Sequence, residues 1–149
     1  MRRNVEPDLS AWSELLDWML PRSHALKVSE EDLALLRPTV AIKRFAASAL
    51  AKGVRLVVVT PGRRRAIALT GPEPVEVPAV PVRLVDTVGA GDSFQAALLT
   101  WLAEHGCSSA QALGSNFTPR LREALRLAVA AVTCSRRGAD LPRRSELAD

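Results

Sequence analysis

Two carboxylates and two glycines crowd one turn in Val85-Asp86-Thr87-Val88-Gly89-Ala90-Gly91-Asp92-Ser93-Phe94. Upstream runs an extended stretch, PVRLVDT, and downstream runs FQAALLTWLAEHG, whose apolar residues recur at helical spacing. The turn therefore feeds the chain into the start of a helix. Backbone N–H groups are unpaired at that point, and the helix dipole adds a partial positive charge. Glycine lets a backbone approach an anion closely and adopt positive φ without strain. Gly89, Ala90 and Gly91 are thus expected to form an anion hole, donating amide hydrogens to phosphate oxygens. Asp92 stands in the first turn of the helix, ionised beside the positive end and able to act as a general base. A hydroxyl on Asp92, facing a phosphate on the glycine amides, would be aligned for phosphoryl transfer, which asks chiefly for positioning and charge stabilisation. The plainer alternative is a glycine turn with an aspartate that only caps the helix.

The elements around this turn alternate between helices and strands. Ser10 to Leu20 has the spacing of a helix, with Trp12, Leu15, Leu16 and Met19 on one stripe and Pro21 as its stop. HALKV (24–28) is a short strand and SEEDLALL (29–36) a second helix. Thr39 to Lys52 is a third helix, closed by Gly53. RLVVVT (55–60) is a β-branched run of the kind buried on both faces of a parallel sheet. Arg65 to Thr70 and Val75 to Val77 are lesser strands. The helix after the turn carries Phe94, Ala97, Leu98, Trp101 and Leu102 on one face. The last helix opens at Thr118-Pro119, with Leu121, Ala124, Leu125, Ala128 and Val132 inward. The pattern predicts an α/β fold with helices layered on a sheet. Because a helix comes first, strands that precede it in such a fold are expected to be absent or supplied elsewhere.

Composition narrows the partners. The 149 residues suit one domain of ordinary apolar and charged content. Of 20 basic residues 17 are arginine, yet Tyr is absent and the other aromatic residues sit mostly at helical core spacing. A nucleic-acid binder would interleave basic clusters with stacking rings, so no nucleic-acid partner is expected. The sequence contains neither a membrane-spanning run nor an apolar signal segment, and the cytoplasm is the expected compartment. Cys107 and Cys134 match no metal spacing and are expected to be packing residues.

Asp86-Thr87-x-Gly89-Ala90-Gly91-Asp92-x-Phe94 resembles the DTxGAGDxF signature of the ribokinase-like, or PfkB-type, carbohydrate kinases. No GxxxxGK[ST] motif competes with it. The resemblance implies a three-layer αβα, Rossmann-like fold and an ATP-dependent kinase acting on a sugar hydroxyl. It implies Asp92 as the base, Gly89, Ala90 and Gly91 as the anion hole, and Asp86 as a loop brace that helps hold a monovalent cation such as K+. LKVSEEDLALL (26–36) resembles a fructokinase segment ending in KxSEEEL, where Ser29 and Asp32 take the places of groups near magnesium-bound phosphates. Locally the same pair reads as a helix capping box. LVVVTPGRRRAIAL (56–69) resembles a VVTLGxxGA turn beside the nucleotide, matching at Thr60 and Gly62, with Arg65 in place of the second glycine. LAVAAVTCSRRGADLP (127–142) resembles the closing segment of bacterial fructokinases, with Val129 where some relatives place an asparagine on the adenine. RRNVEPDLSAW (2–12) resembles a DPNVRPxLW segment near the middle of a complete kinase. The whole of 1–149 therefore corresponds to the C-terminal part, with ATP, Mg2+ and a sugar as ligands. The sugar-side strands and β lid would come from an N-terminal half, or a homodimer would complete the site. A nucleoside kinase of the same fold and a non-catalytic nucleotide-binding fragment are the alternatives.

Overall fold

The computed structural model describes residues 8–60, 65–79, 89–114 and 118–133. Helix α1 (Leu9–Met19) runs into a 3-10 turn (Leu20–Arg22), then strand β1 (Ala25–Ser29) and helices α2 (Glu30–Leu36) and α3 (Ile42–Ala51). Strands β2 (Leu56–Thr60), β3 (Arg65–Leu69) and β4 (Val75–Pro78) follow, then helices α4 (Ala90–Glu104), α5 (Ala110–Gly114) and α6 (Thr118–Thr133). The four strands form one sheet in the order β1-β2-β3-β4. β1 and β2 pair in parallel, Leu26 opposite Val57 and Ser29 opposite Thr60. β2–β3 and β3–β4 are antiparallel, so the sheet is mixed: β2 is buried on both faces as its sequence suggests, but only one of its two neighbours is parallel. The connections account for this. A parallel pair needs a long crossover, which α2 and α3 supply, whereas the short links after β2 permit only antiparallel neighbours.

Alternation along β2 divides the molecule into two cores. Leu56 and Val58 join Ala66, Ala68, Val75 and Val77 on one face, packed under Phe94, Ala97, Leu98, Trp101 and Leu102 of α4 and Leu121, Ala124, Leu125 and Ala128 of α6. Val57 and Val59 join Ile67 and Leu69 on the other face, under Leu33 of α2 and Phe45, Ala46 and Ala49 of α3. The result is a three-layer αβα sandwich. Each fully buried aliphatic side chain, Leu56, Leu121 and Leu125 among them, contributes on the order of 1.5–3 kcal/mol. Gly53 (φ +106°) ends α3 in the left-handed conformation expected of it.

Two expectations need correction, and one helix was not foreseen. The apolar stripe of α1 does not pack inward: the helix has no buried residue, and Trp12, Leu15 and Met19 are exposed together with Trp18. Leu16 alone of the stripe rests on the second core. The helix is held instead by polar contacts. Asp17 bridges Arg37 and Lys52, each at 2.7 Å, and the Arg37 guanidinium also reaches the hydroxyl and carbonyl of Ser13. Among the described residues nothing lies over the outward stripe, so periodicity named a face that lacks a cover. α3 begins at Ile42 rather than Thr39, because Pro38 and Thr39 form a turn and the chain straightens through Val40 and Ala41 before the helix starts. α5 was not anticipated; its five residues are too few for a periodic signal, though Ser109 caps it by accepting the Ala112 N–H at 3.1 Å.

Candidate active site

Gly89 occupies the N-cap of α4 at φ +80°, ψ −5°. This left-handed conformation costs an L-residue with a side chain roughly 1–2 kcal/mol, which explains the glycine. Its carbonyl accepts the Ser93 N–H at 2.8 Å and the Ser93 hydroxyl at 3.0 Å, pinning the turn to the helix. Ser93 is buried and satisfied by this contact. Among the described residues no side chain caps α4, whereas Asp8 caps α1 and Ser29 caps α2. The amides of Ala90, Gly91 and Asp92 therefore lack an intrahelical acceptor, and among the described residues no side chain is seen to cap them. Gly91 and Asp92 are exposed, so the helix start opens outward.

A second group of residues gathers at the carboxyl ends of the two parallel strands, where ligands of open α/β sheets bind. Ser29 and Thr60 are register partners at those ends. The Ser29 hydroxyl accepts the Asp32 N–H at 3.0 Å, one half of the capping box. The hydroxyl is thus engaged in starting α2, as the local reading of the sequence has it. Partial burial works against the charge on Asp32, but hydrogen bonding, that from Ser29 included, and nearby positive charge, to which Lys27 adds the smallest share, outweigh it and hold the carboxyl below its ordinary value. Asp32 is thus an anionic group at the start of α2. Among the described residues no cluster of three or more metal-ligating side chains occurs. Magnesium does not require one, since a single carboxylate together with nucleotide phosphates can hold it.

Lys27 links the two helix starts and was not singled out from sequence. A Cβ added to Gly91 would stand 3.2 Å from its ammonium nitrogen, and its charge also acts on Asp32. The lysine of the KxSEE segment was the available signal, but its reach to α4 depends on tertiary packing. Other positions resolve more simply. Arg65 is exposed and pairs with Glu76 at 3.4 Å across β3 and β4, so its charge is spent on the surface. Val129 is buried in the core shared by α4 and α6. Asp86 and Gly62 lie outside the described residues, as do Cys134 and the segments 2–7 and 134–142. Among the described residues no helix is long and apolar enough to cross a membrane.

Comparison with known proteins matches the pfkB family carbohydrate kinases over residues 3–146. The chain belongs to this family. A fructokinase of Klebsiella pneumoniae is 36% identical over 107 residues, which are 71% of this chain and 35% of that protein. The Xylella fastidiosa fructokinase solved with bound ATP superposes with a TM-score of 0.80 at 25% identity, over 93% of this chain and 45% of its own. A fructokinase double mutant of Vibrio cholerae O395, solved with fructose, ADP and potassium ion, gives 0.74 at 26% identity, over 93% and 43%. The pfkB chain described here thus spans between about a third and a half of the length of these relatives, and its layered sheet is the ribokinase-like fold that they share.

Proposed function

We propose that this chain is the nucleotide-binding and catalytic-base portion of an ATP-dependent sugar kinase of fructokinase type. The observation that carries the reading is the start of α4: amides that no described side chain caps, a glycine turn at positive φ, and an exposed Asp92 beside them, in a chain of the pfkB family. The terminal phosphate of ATP would accept hydrogen bonds from the amides of the Gly89-Ala90-Gly91 turn. These donors are oriented before the reaction and lose nothing to reorganisation as charge builds on the phosphate oxygens. Asp92 would take the proton of the sugar hydroxyl as its oxygen attacks phosphorus. Magnesium would supply charge neutralisation at the phosphates, with Asp32 acting near the magnesium-bound phosphates and Ser29, Thr60 and Gly62 along the nucleotide. Asp86 would brace the turn and share in a monovalent cation site, in keeping with the potassium-bound relative. The sugar-side contacts would come from polypeptide outside residues 1–149, and the ATP-bound and fructose-bound relatives support both ligand classes.

The test has two arms. Buffer-matched titration with MgATP reads nucleotide binding, and a chain that fails to bind refutes the proposal. Sugar-dependent ADP release, with fructose first among several sugars, reads catalysis. Positioned proton transfer contributes about a hundred- to ten-thousandfold. In an enzyme that includes the sugar-side polypeptide, Asp92→Asn is therefore expected to lower turnover by at least a hundredfold while ATP affinity stays within twofold. Near-normal turnover would remove Asp92 from its role as base.

A further inference from the structure

We propose that Lys27 is a direct ligand of ATP's terminal phosphate, closing the amide cradle of α4 with a positive charge; this rests on the kinase reading above. Strand alternation decides which way Lys27 faces. Leu26 and Val28 pack on the core beneath α2 and α3. Lys27, between them and opposite Val58 in register, belongs to the other face of the sheet, where Val58 lies beneath α4. Its ammonium nitrogen comes within 3.2 Å of the point where a side chain on Gly91 would begin. Gly91 thus leaves open the space that the lysine enters.

The placement runs against the local field. A cation at the positive end of a helix is repelled by the dipole and drawn to anions there, of which this protein itself supplies the carboxylates of Asp92 and Asp32. Among the described residues Lys27 makes no ion pair, and α4 has no capping side chain. Asp32 feels the lysine's charge from the α2 side, while the ammonium itself stands over α4. A phosphate group satisfies both partners, because its several oxygens can accept the amide hydrogens and an ammonium at once. Lysine suits this role as a compact point charge on a flexible stem. In the transfer step the sugar oxygen loses its proton to Asp92 and bonds to the γ-phosphorus. The bond from that phosphorus to the β–γ bridging oxygen breaks, and ADP leaves with the bonding pair. Lys27 gives up no proton; it follows the charge of the moving group.

The experiment is calorimetric titration of the chain with MgATP and MgADP, for the wild type, Lys27→Met and Lys27→Arg, with melting of each protein in the absence of nucleotide. Loss of a charge-assisted hydrogen bond corresponds to about a ten- to hundredfold loss of affinity. Lys27→Met is expected to weaken ATP by that factor and ADP by less than threefold, at an unchanged melting temperature, and Lys27→Arg to recover part of the loss. If ATP affinity survives in Lys27→Met, the assignment is overturned while the kinase reading stands. A lower melting temperature with ATP and ADP weakened alike would also overturn it, showing a structural partner of Asp32. Absence of ATP binding by the wild type overturns both.

Discussion

Replacing Gly89 by alanine isolates the contribution of one backbone conformation to nucleotide binding. Gly89 holds φ +80°, ψ −5°, and a Cβ there raises the folded state by roughly 1–2 kcal/mol. The protein has two ways to respond. It can keep the turn and carry the strain, or swing the residue out of the left-handed region and break the two Ser93 hydrogen bonds to the Gly89 carbonyl. The second response moves the amides that would hold phosphate. Gly53 offers an internal control: it too has positive φ (+106°), and an added Cβ there meets nothing within 4 Å. Gly53→Ala is expected to cost stability on the same scale and leave nucleotide affinity alone. Gly89→Ala is expected to show that loss of stability and also a drop in MgATP affinity of about fivefold or more, if about 1 kcal/mol or more of the strain is expressed at the site. Gly89→Asn, whose side chain tolerates the left-handed region, should lie between alanine and wild type. Urea unfolding and calorimetric titration on the four proteins provide the measurements. If Gly89→Ala bound ATP as tightly as Gly53→Ala does, the geometry of the turn would be irrelevant to the phosphate.

Two further outcomes concern stability. The hydrogen bond from Lys52, with the charges of Arg37 and Lys52, outweighs desolvation and keeps the Asp17 carboxyl below its ordinary value of 3.8. A lowered folded-state pKa contributes stability above the unfolded value that is lost as the pH falls through the folded one. Acid should therefore loosen α1 below about pH 4, and Asp17→Asn should flatten that part of the stability-against-pH curve; an identical curve for both proteins would show that the bridge contributes nothing. Leu125→Ala empties a fully buried site between α6 and the sheet and should cost about 2–5 kcal/mol in urea unfolding; a loss below 1 kcal/mol would mean that the core collapses around the gap.

Sequence patterns were informative wherever a residue's role is local. The β-branched run of β2, the apolar face of α4 and the inward positions of α6 through Ala128 lie where spacing puts them. The glycine at the head of α4 has the positive φ that its type suggests. Roles that depend on a distant neighbour were not legible. The stripe on α1 is periodic, but spacing says which residues share a face and nothing of what covers it, and Trp12 and Trp18 stand exposed. The β2–β3 link made the sheet mixed, since a run of valines is equally at home beside a parallel or an antiparallel partner. Lys27 is placed on its strand by the KxSEE resemblance, which does not give its reach. Its meaning comes from the register of β1 on β2 and from a helix far along the chain that brings Gly91 to its ammonium.

The division of β2 between two cores has a mechanical consequence. Neighbouring residues of this strand anchor opposite layers, Val58 beneath α4 and Val57 and Val59 beneath α2 and α3. Neither helical layer can slide without dragging the strand that grips the other. α2 and α4 lie on opposite faces of the sheet and are tied to each other through it, so a shift of either would be carried by β2 to the other.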